Sequence, residues 1–314
     1  MIPKKLLVAT RGEIAIRILR AASELGVPTV AIFSEDDSLS LHIRKADQAI
    51  PLNGVGAAAY ADIEQILSIA KAAGCDAIHP GCGFRSESAQ FARRCGDAGI
   101  TFVGPRAEIF DLFSDEQQAR VLAERCGVPI VHDASTPPRS RRIEVQIVGD
   151  GASVCHLFER ETSIQLVDQA IVAVAPCPSL DAAMRLAKEV SLDGLATFEF
   201  LIIENAGDDD GFAFVNAKPG LQPEHPVTEE ILSIDLVKTE LKLAGKTSLQ
   251  EIGPGQNEIA KPRGFAIQLR INAESIDANG TIKPATGTLT AFEMPSGPGI
   301  RVDTSAYAKA HAHS

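Results

Sequence analysis

The sequence predicts an N-terminal α/β half on a doubly wound parallel sheet, followed by an α+β half on an antiparallel sheet. Two observations predict this. Short apolar runs alternate with helix-periodic segments through the first third of the chain, the rhythm of an open parallel sheet with helices on both faces. After Arg142 the pattern changes to paired apolar runs around the turn Gly149-Asp150-Gly151, as adjacent antiparallel strands require.

In chain order, Leu6–Ala9 is a short buried strand. The spacing of Ile14, Ile18, Leu19 and Leu25 predicts a helix over Arg11–Leu25, stopped by Gly26. Val27–Ile32 is the second strand, Ile63–Ala73 a helix ended by Gly74, and Ala77–Pro80 a third strand closing in a turn. Ser88–Ala98 is helical and Ile100–Val103 is the fourth strand. Two helices follow Pro105, over Ala107–Phe113 and Asp115–Cys126. Asp133–Arg142, rich in Pro, Ser and Arg, reads as a linker. Beyond it come strands over Ile143–Val148 and Ser153–Glu159 and a helix over Leu180–Val190. Ala196–Ile203 and Gly211–Asn216 form a hairpin with the acidic loop Asn205–Asp210. Val227–Ala244 predicts one long helix and Gly264–Ala273 a last strand. The expected division is 1–113, a connector over 114–142, and 143–314.

Composition excludes several classes. With 45% hydrophobic and 23% charged residues over 314 positions, the chain has a globular profile. A net charge of −11 argues against a non-specific nucleic-acid binder, which needs cations to neutralise phosphates. No apolar run is long enough to span a bilayer. The six cysteines form no C-x-x-C pair, which predicts free thiols and no structural zinc site. Met1–Lys5 runs directly into the first strand without a leader, so a cytoplasmic location is expected.

Several strings are more specific than any periodicity. They are Arg11-Gly12-Glu13-Ile14-Ala15, Asp76-Ala77-Ile78-His79-Pro80-Gly81, Phe102-Val103-Gly104-Pro105, Thr197-Phe198-Glu199-Phe200, Glu224-His225-Pro226-Val227-Thr228-Glu229 and Arg270-Ile271-Asn272-Ala273-Glu274. In that order the chain resembles the biotin carboxylase subunit or domain of biotin-dependent carboxylases, from about Lys4 to Tyr307. The resemblance implies a pre-ATP-grasp-like N-terminal sheet followed by an ATP-grasp-like domain. It also implies use of MgATP and bicarbonate to make carboxyphosphate and carboxylate biotin on a partner, as in acyl-CoA, pyruvate or urea carboxylases. Such chemistry needs cations around phosphates, carboxylates for Mg²⁺ and an arginine near developing charge.

The residues here depart from that pattern. Between Gly127-Val128-Pro129 and Ile143-Glu144-Val145-Gln146 the family carries a glycine-rich lid with a lysine; this chain has a short connector with neither. The predicted fold is therefore lid-less, without the backbone N–H groups that would cradle phosphate. The connector keeps a Pro-rich turn, which fits a natural loss, though an engineered deletion stays open. The family's Gly-Asp-Lys reads Ser114-Asp115-Glu116, which puts a carboxylate where a phosphate lysine is expected. By resemblance Glu199 is the first Mg²⁺ ligand and Asn216 stands at the second, a weak pair. Further along that string stand Lys218, for an asparagine, and Gly220, for the catalytic arginine. Gln222, Glu224 and Arg270 match the bicarbonate pocket, and Gln165 and Gln222 belong to the remnant ATP and bicarbonate site. An expected lysine is Ala170, a basic pair and histidine are Leu166, Val167 and Asp168, and two acids are Ala173 and Val174.

Three expectations follow. In the first, the chain is a pseudoenzyme that binds a partner or a small anion and takes no cofactor; MgATP and biotin would matter only if the family's activity persisted. In the second, the open remnant site, with Glu224 and His225 as acid–base groups and Arg270 as anion clamp, runs ATP-independent chemistry on a small acidic substrate. In the third, residual biotin carboxylation survives.

Structural readings stand beside these. Glu199 is also suited to be a strand-end carboxylate, and Glu224-His225-Pro226 to be a turn and helix cap. Arg270 could equally pair with Glu224 or Glu199, His79 fits a turn, and Cys82 stands where the family has an aromatic. Arg17, Arg20 and Glu24 match the family's dimer-forming helix face, so a homodimer or a carboxylase-like partner subunit is expected; a solvated surface is the other reading.

Overall fold

A computed structural model describes residues 2–83, 86–131, 140–166, 169–177, 181–203, 211–253, 259–279, 281–285, 287–308 and 311–312. Two compact units emerge. One comprises Pro3–Ser86, Arg94–Phe102 and Ile271–Ser314; the other comprises Met1–Ile2, Glu87–Arg93 and Val103–Arg270.

In the first unit, β1 (Leu6–Val8), α1 (Gly12–Glu24), β2 (Thr29–Phe33), β3 (Gln48–Pro51), α2 (Gly56–Ala59), α3 (Ile63–Ala72) and β4 (Ala77–His79) follow one another. After α4 (Ala89–Asp97) comes β5 (Thr101–Phe102). The five strands form a parallel sheet in the order β3-β2-β1-β4-β5. This is the predicted doubly wound sheet, with β1 wholly apolar and buried and β2 buried from Thr29 to Ile32, as strands covered on both faces must be. The sequence reading missed β3, a half-exposed strand ending in Pro51. A proline is tolerated there because β3 is an edge strand.

In the second unit, α5 (Ala107–Ser114) and α6 (Glu116–Arg125) precede the long strand β6 (Ser140–Asp150). Then come β7 (Val154–Leu166), β8 (Gln169–Ala175), α7 (Ala182–Glu189), β9 (Asp193–Ile203), β10 (Gly211–Pro219), α8 (His225–Leu232), α9 (Leu236–Ala244), α10 (Leu249–Ile252) and β11 (Ala266–Leu269). Their sheet is antiparallel and six-stranded, in the order β10-β9-β6-β7-β8-β11. The small pairs β12 (Glu274–Ile276) with β13 (Ile282–Pro284), and β14 (Gly287–Thr288) with β15 (His311–Ala312), belong to the first unit and complete the described chain.

Alternation along the strands gives the large sheet two unlike faces. Ile143, Val145, Ile147, Phe198 and Phe200 pack into one apolar core with Ile109 and Phe113 of α5, Leu122 of α6 and Leu186 of α7. Phe113 meets Phe198 edge-on at 5.7 Å between ring centroids, and Phe200 meets Phe214 at the same distance. This packing is why α5 and α6 belong to the second unit.

Several sequence expectations need correction. The predicted linker is part strand: Ser140, Arg141 and Arg142 pair with Ile203, Ile202 and Leu201, extending β6. Its residues 133–139 lie outside the described residues, as do Leu180, Val167, Asp168 and the predicted loop Asn205–Asp210. The single helix over Val227–Ala244 is two. Ser233 adopts a left-handed conformation (φ 56°), and Asp235 caps α9 by accepting the Lys238 N–H at 2.8 Å. Glu229 braces the break by accepting the Leu236 N–H at 2.7 Å. β8 had not been predicted, and the expected strand over Gly264–Ala273 shortens to β11. No disulfide joins the cysteines.

Candidate functional site

The face of the large sheet opposite the apolar core carries charge. Register aligns Arg160 on β7 with Glu144 on β6, Glu144 with Glu199 on β9, and Glu199 with Asn216 on β10. The neighbouring row on this face is Gln146, Thr197 and Lys218. A bulge between Phe214 and Asn216 makes this possible: residues two apart normally share a face, but the extra residue lets Phe214 enter the core while Asn216 joins the charged row.

Arg160 is fully buried. Its Nε donates to Glu144 Oε2 at 2.7 Å, Nη1 to Gln146 Oε1 at 2.9 Å and Nη2 to Thr197 Oγ1 at 3.0 Å, with Thr228 Oγ1 of α8 at 3.4 Å from Nη1. A buried guanidinium is tolerable only with this degree of pairing. The network was invisible as a site in the sequence. Its available signal was the alternation Arg142-Ile143-Glu144-Val145-Gln146, which marks one polar strand face.

Glu199 is the centre of the second cluster. Lys218 Nζ lies 2.5 Å from its Oε1 and Arg142 Nη1 lies 3.4 Å from its Oε2. Glu199 is buried, whereas the Lys218 and Arg142 side chains are 37% and 25% exposed. Burial alone would lower the Lys218 pKa, but the charge and hydrogen bonding of Glu199, together with the charges of Glu144 and Glu224, outweigh it and the net direction is upward.

A Mg²⁺ ion does not fit this arrangement. Both oxygens of Glu199 face cations of the chain, and Asn216 Oδ1 accepts the Ala217 N–H at 2.8 Å. Among the described residues no group of three or more His, Cys, Asp or Glu side chains could hold a metal ion.

Glu224 is buried at the N-terminal edge of α8, and its side chain makes no capping hydrogen bond. The expected cap is therefore not made by this side chain; Pro226 in the first turn starts the helix instead. Burial, reinforced by the charge of Glu144, raises the Glu224 pKa above its ordinary 4.5, with Arg160 and Lys218 pulling the other way. Between its ordinary value and the raised one, the folded state thus holds a proton that the unfolded state releases. This contribution to stability is complete below pH 4.5 and is lost as pH rises through the raised value, at up to about 1.4 kcal/mol per pH unit. Glu224→Gln should flatten that decline; urea midpoints measured across pH 4 to 8 check it.

His225 is also buried, with Nδ1 2.8 Å from the Gln222 carbonyl oxygen and Nε2 3.9 Å from Glu229 Oε2. Its ring braces the start of α8. Gln222 Nε2 donates to Glu87 Oε1 at 3.1 Å. The Arg270 N–H continues the edge ladder by donating to the Ile171 carbonyl at 2.9 Å, and Gln268 Nε2 ties β11 to the Pro223 carbonyl at 3.0 Å. Lys218 and Arg142 both lie within ion-pair distance of Glu199. Gln165 lies opposite Ala170, five residues beyond Arg160 on β7. At roughly 3.3 Å rise per residue, that carries it well past the charged row.

In the other unit, His79 Nδ1 accepts the Gly81 N–H at 3.0 Å, which fits the turn reading. On α1, Arg17 is buried, Arg20 lies 4.0 Å from Asp303 and Glu24 is exposed. A solvated surface therefore does not describe Arg17.

Comparison with known proteins agrees with this architecture. Residues 2–110 match the biotin carboxylase N-terminal domain, and residues 95–252 match the carbamoyl-phosphate synthase L chain ATP-binding domain. The biotin carboxylase domain of a single-chain bacterial carboxylase superposes with a TM-score of 0.87 at 38% identity, over 97% of this chain and 80% of that one. This chain belongs to the biotin carboxylase family. Pyruvate carboxylase of Rhizobium etli gives a TM-score of 0.91 at 37% identity, over 99% of this chain and 30% of that one. Pyruvate carboxylase of Schizosaccharomyces pombe is 35% identical over 380 residues, covering 95% of this chain and 31% of the relative. This member of the family thus spans about a third of the length of such relatives, which are multidomain carboxylases. Among its described residues, no helix is long and apolar enough to cross a membrane.

Proposed function

We propose that this biotin carboxylase domain no longer drives ATP-dependent biotin carboxylation, and that its charged sheet face binds a small anion instead. The observation that carries the reading is the occupation of Glu199 by Lys218 and Arg142. A carboxylate that should draw Mg²⁺ toward the phosphates is already paired, and the Lys218 and Arg142 side chains that pair it remain partly exposed. Gly220, Glu116 and Ala170 support the reading, each replacing a cation that the family pattern places near substrate. The length mismatch supports a lost lid: an alignment of 380 residues uses only 95% of this 314-residue chain. Removing one preorganised charge from such a site costs roughly 10²–10³ in rate, and the losses here act together. We place the domain in the cytoplasm, acting beside other carboxylase domains or a second copy.

Calorimetric titration with MgATP, then with bicarbonate, tests the proposal, followed by an assay of bicarbonate-dependent ATP cleavage with free biotin. The expected result is no saturable heat at millimolar nucleotide and no cleavage above blank. Saturable micromolar MgATP binding with bicarbonate-dependent turnover overturns it in favour of a residual carboxylase. The burial of Glu224, which raises its pKa above the ordinary carboxylate range, favours a second reading, ATP-independent acid–base chemistry. That reading requires Glu224→Gln to abolish a turnover that is indifferent to nucleotide.

A further inference from the structure

The row that aligns Glu144, Glu199 and Asn216 places two carboxylates and one amide side by side on adjacent strands. Arg160 compensates Glu144. Glu199 is equally buried, and an isolated buried carboxylate is costly unless a cation answers it. Arg142 lies at 3.4 Å, whereas Lys218 Nζ is at 2.5 Å and sits two residues from Asn216 on the same strand. Strand alternation puts Asn216 and Lys218 on one face. A lysine at this position can thus reach the carboxylate that its own strand passes.

We propose that Lys218 is a built-in counter-ion that replaces a divalent cation at Glu199, so that this sheet face is metal-independent. The two substitutions act as one unit. Asn216 withdraws a carboxylate, which lowers the charge that a dication would need to be held. Lys218, nearer than Arg142, supplies the positive charge in direct contact with the remaining carboxylate. Folding then needs no metal, and no divalent ion competes with an ammonium already in contact with Glu199. The inference shares the Lys218–Glu199 contact with the functional reading above, but its test contains no nucleotide, so either can fail alone.

The test compares the purified chain with Lys218→Gln and Lys218→Arg. Thermal melts are recorded with and without millimolar Mn²⁺, and bound Mn²⁺ is counted by electron paramagnetic resonance. The wild-type chain should melt at the same temperature with and without Mn²⁺. Lys218→Gln should melt on the order of 5 °C lower, regain most of that loss in Mn²⁺, and hold one more Mn²⁺ per chain than wild type. Lys218→Arg keeps the cation and should show neither the extra ion nor the rescue. If Lys218→Gln does not fold, the wild-type count decides: no Mn²⁺ lost on Glu199→Gln upholds the proposal, and a Glu199-dependent Mn²⁺ overturns it. A Lys218→Gln variant that melts like wild type, or that Mn²⁺ does not rescue, also overturns it.

Discussion

Arg160→Met should cost about 3–5 kcal/mol, the range for breaking a buried ion pair by removing one partner. Arg160 is completely buried and donates to Glu144, Gln146 and Thr197. Methionine fills comparable space but leaves the Glu144 carboxylate charged in a dry environment, and leaves the Gln146 amide oxygen short of a donor. A protein of ordinary stability, about 5–15 kcal/mol, is brought close to unfolding by such a loss. Urea denaturation followed by far-ultraviolet circular dichroism checks it through the midpoint. The double variant Arg160→Met with Glu144→Leu removes both charges and should recover a large part of the loss, because desolvated charge rather than lost packing dominates the single variant. A double variant that is no more stable than the single would show that packing around Arg160 matters more than its charge.

Gly149→Ala should cost about 3 kcal/mol or more. Gly149 lies in β6 and pairs with Gly194 of β9. A Cβ at this position would stand 2.0 Å from the Leu192 carbonyl oxygen and 2.7 Å from its carbon. Both are backbone atoms, and the same oxygen already accepts the Gly151 N–H at 2.9 Å. No side chain can rotate away, so β6 or the entry to β9 must shift. Gly96 is the control. It lies inside α4 and an added Cβ meets nothing within 4 Å, so Gly96→Ala should stabilise by up to about 1 kcal/mol. Midpoints moving in opposite directions in one urea series would separate close approach of backbone from the general effect of glycine.

Much of the candidate site was legible because family motifs name positions independently of contacts. Glu199, Gln222, Glu224 and Arg270 could be placed by their neighbours in the chain. Roles were another matter. The His225 ring looked available for proton transfer, but its nitrogens lie toward the Gln222 carbonyl and Glu229. Lys218 read as a lost asparagine, and only the geometry shows what the ammonium contacts. Arg160 carried no motif at all. Its burial depends on three strands and α8 arriving together, which no local pattern encodes.

The sequence by itself determined the order of elements, the change from parallel to antiparallel architecture and the family, because periodicity and short strings act over a few residues. It could not show that α5 and α6 join the second unit, that one helix divides at Ser233, or that a bulge turns Asn216 toward Glu199. Those outcomes depended on tertiary contacts between distant segments: apolar faces finding a common core, the Glu229 carboxylate meeting the Leu236 N–H, and strand register setting which charges lie side by side. Charge pairing on the sheet face is a property of register, and register is decided only when the strands meet.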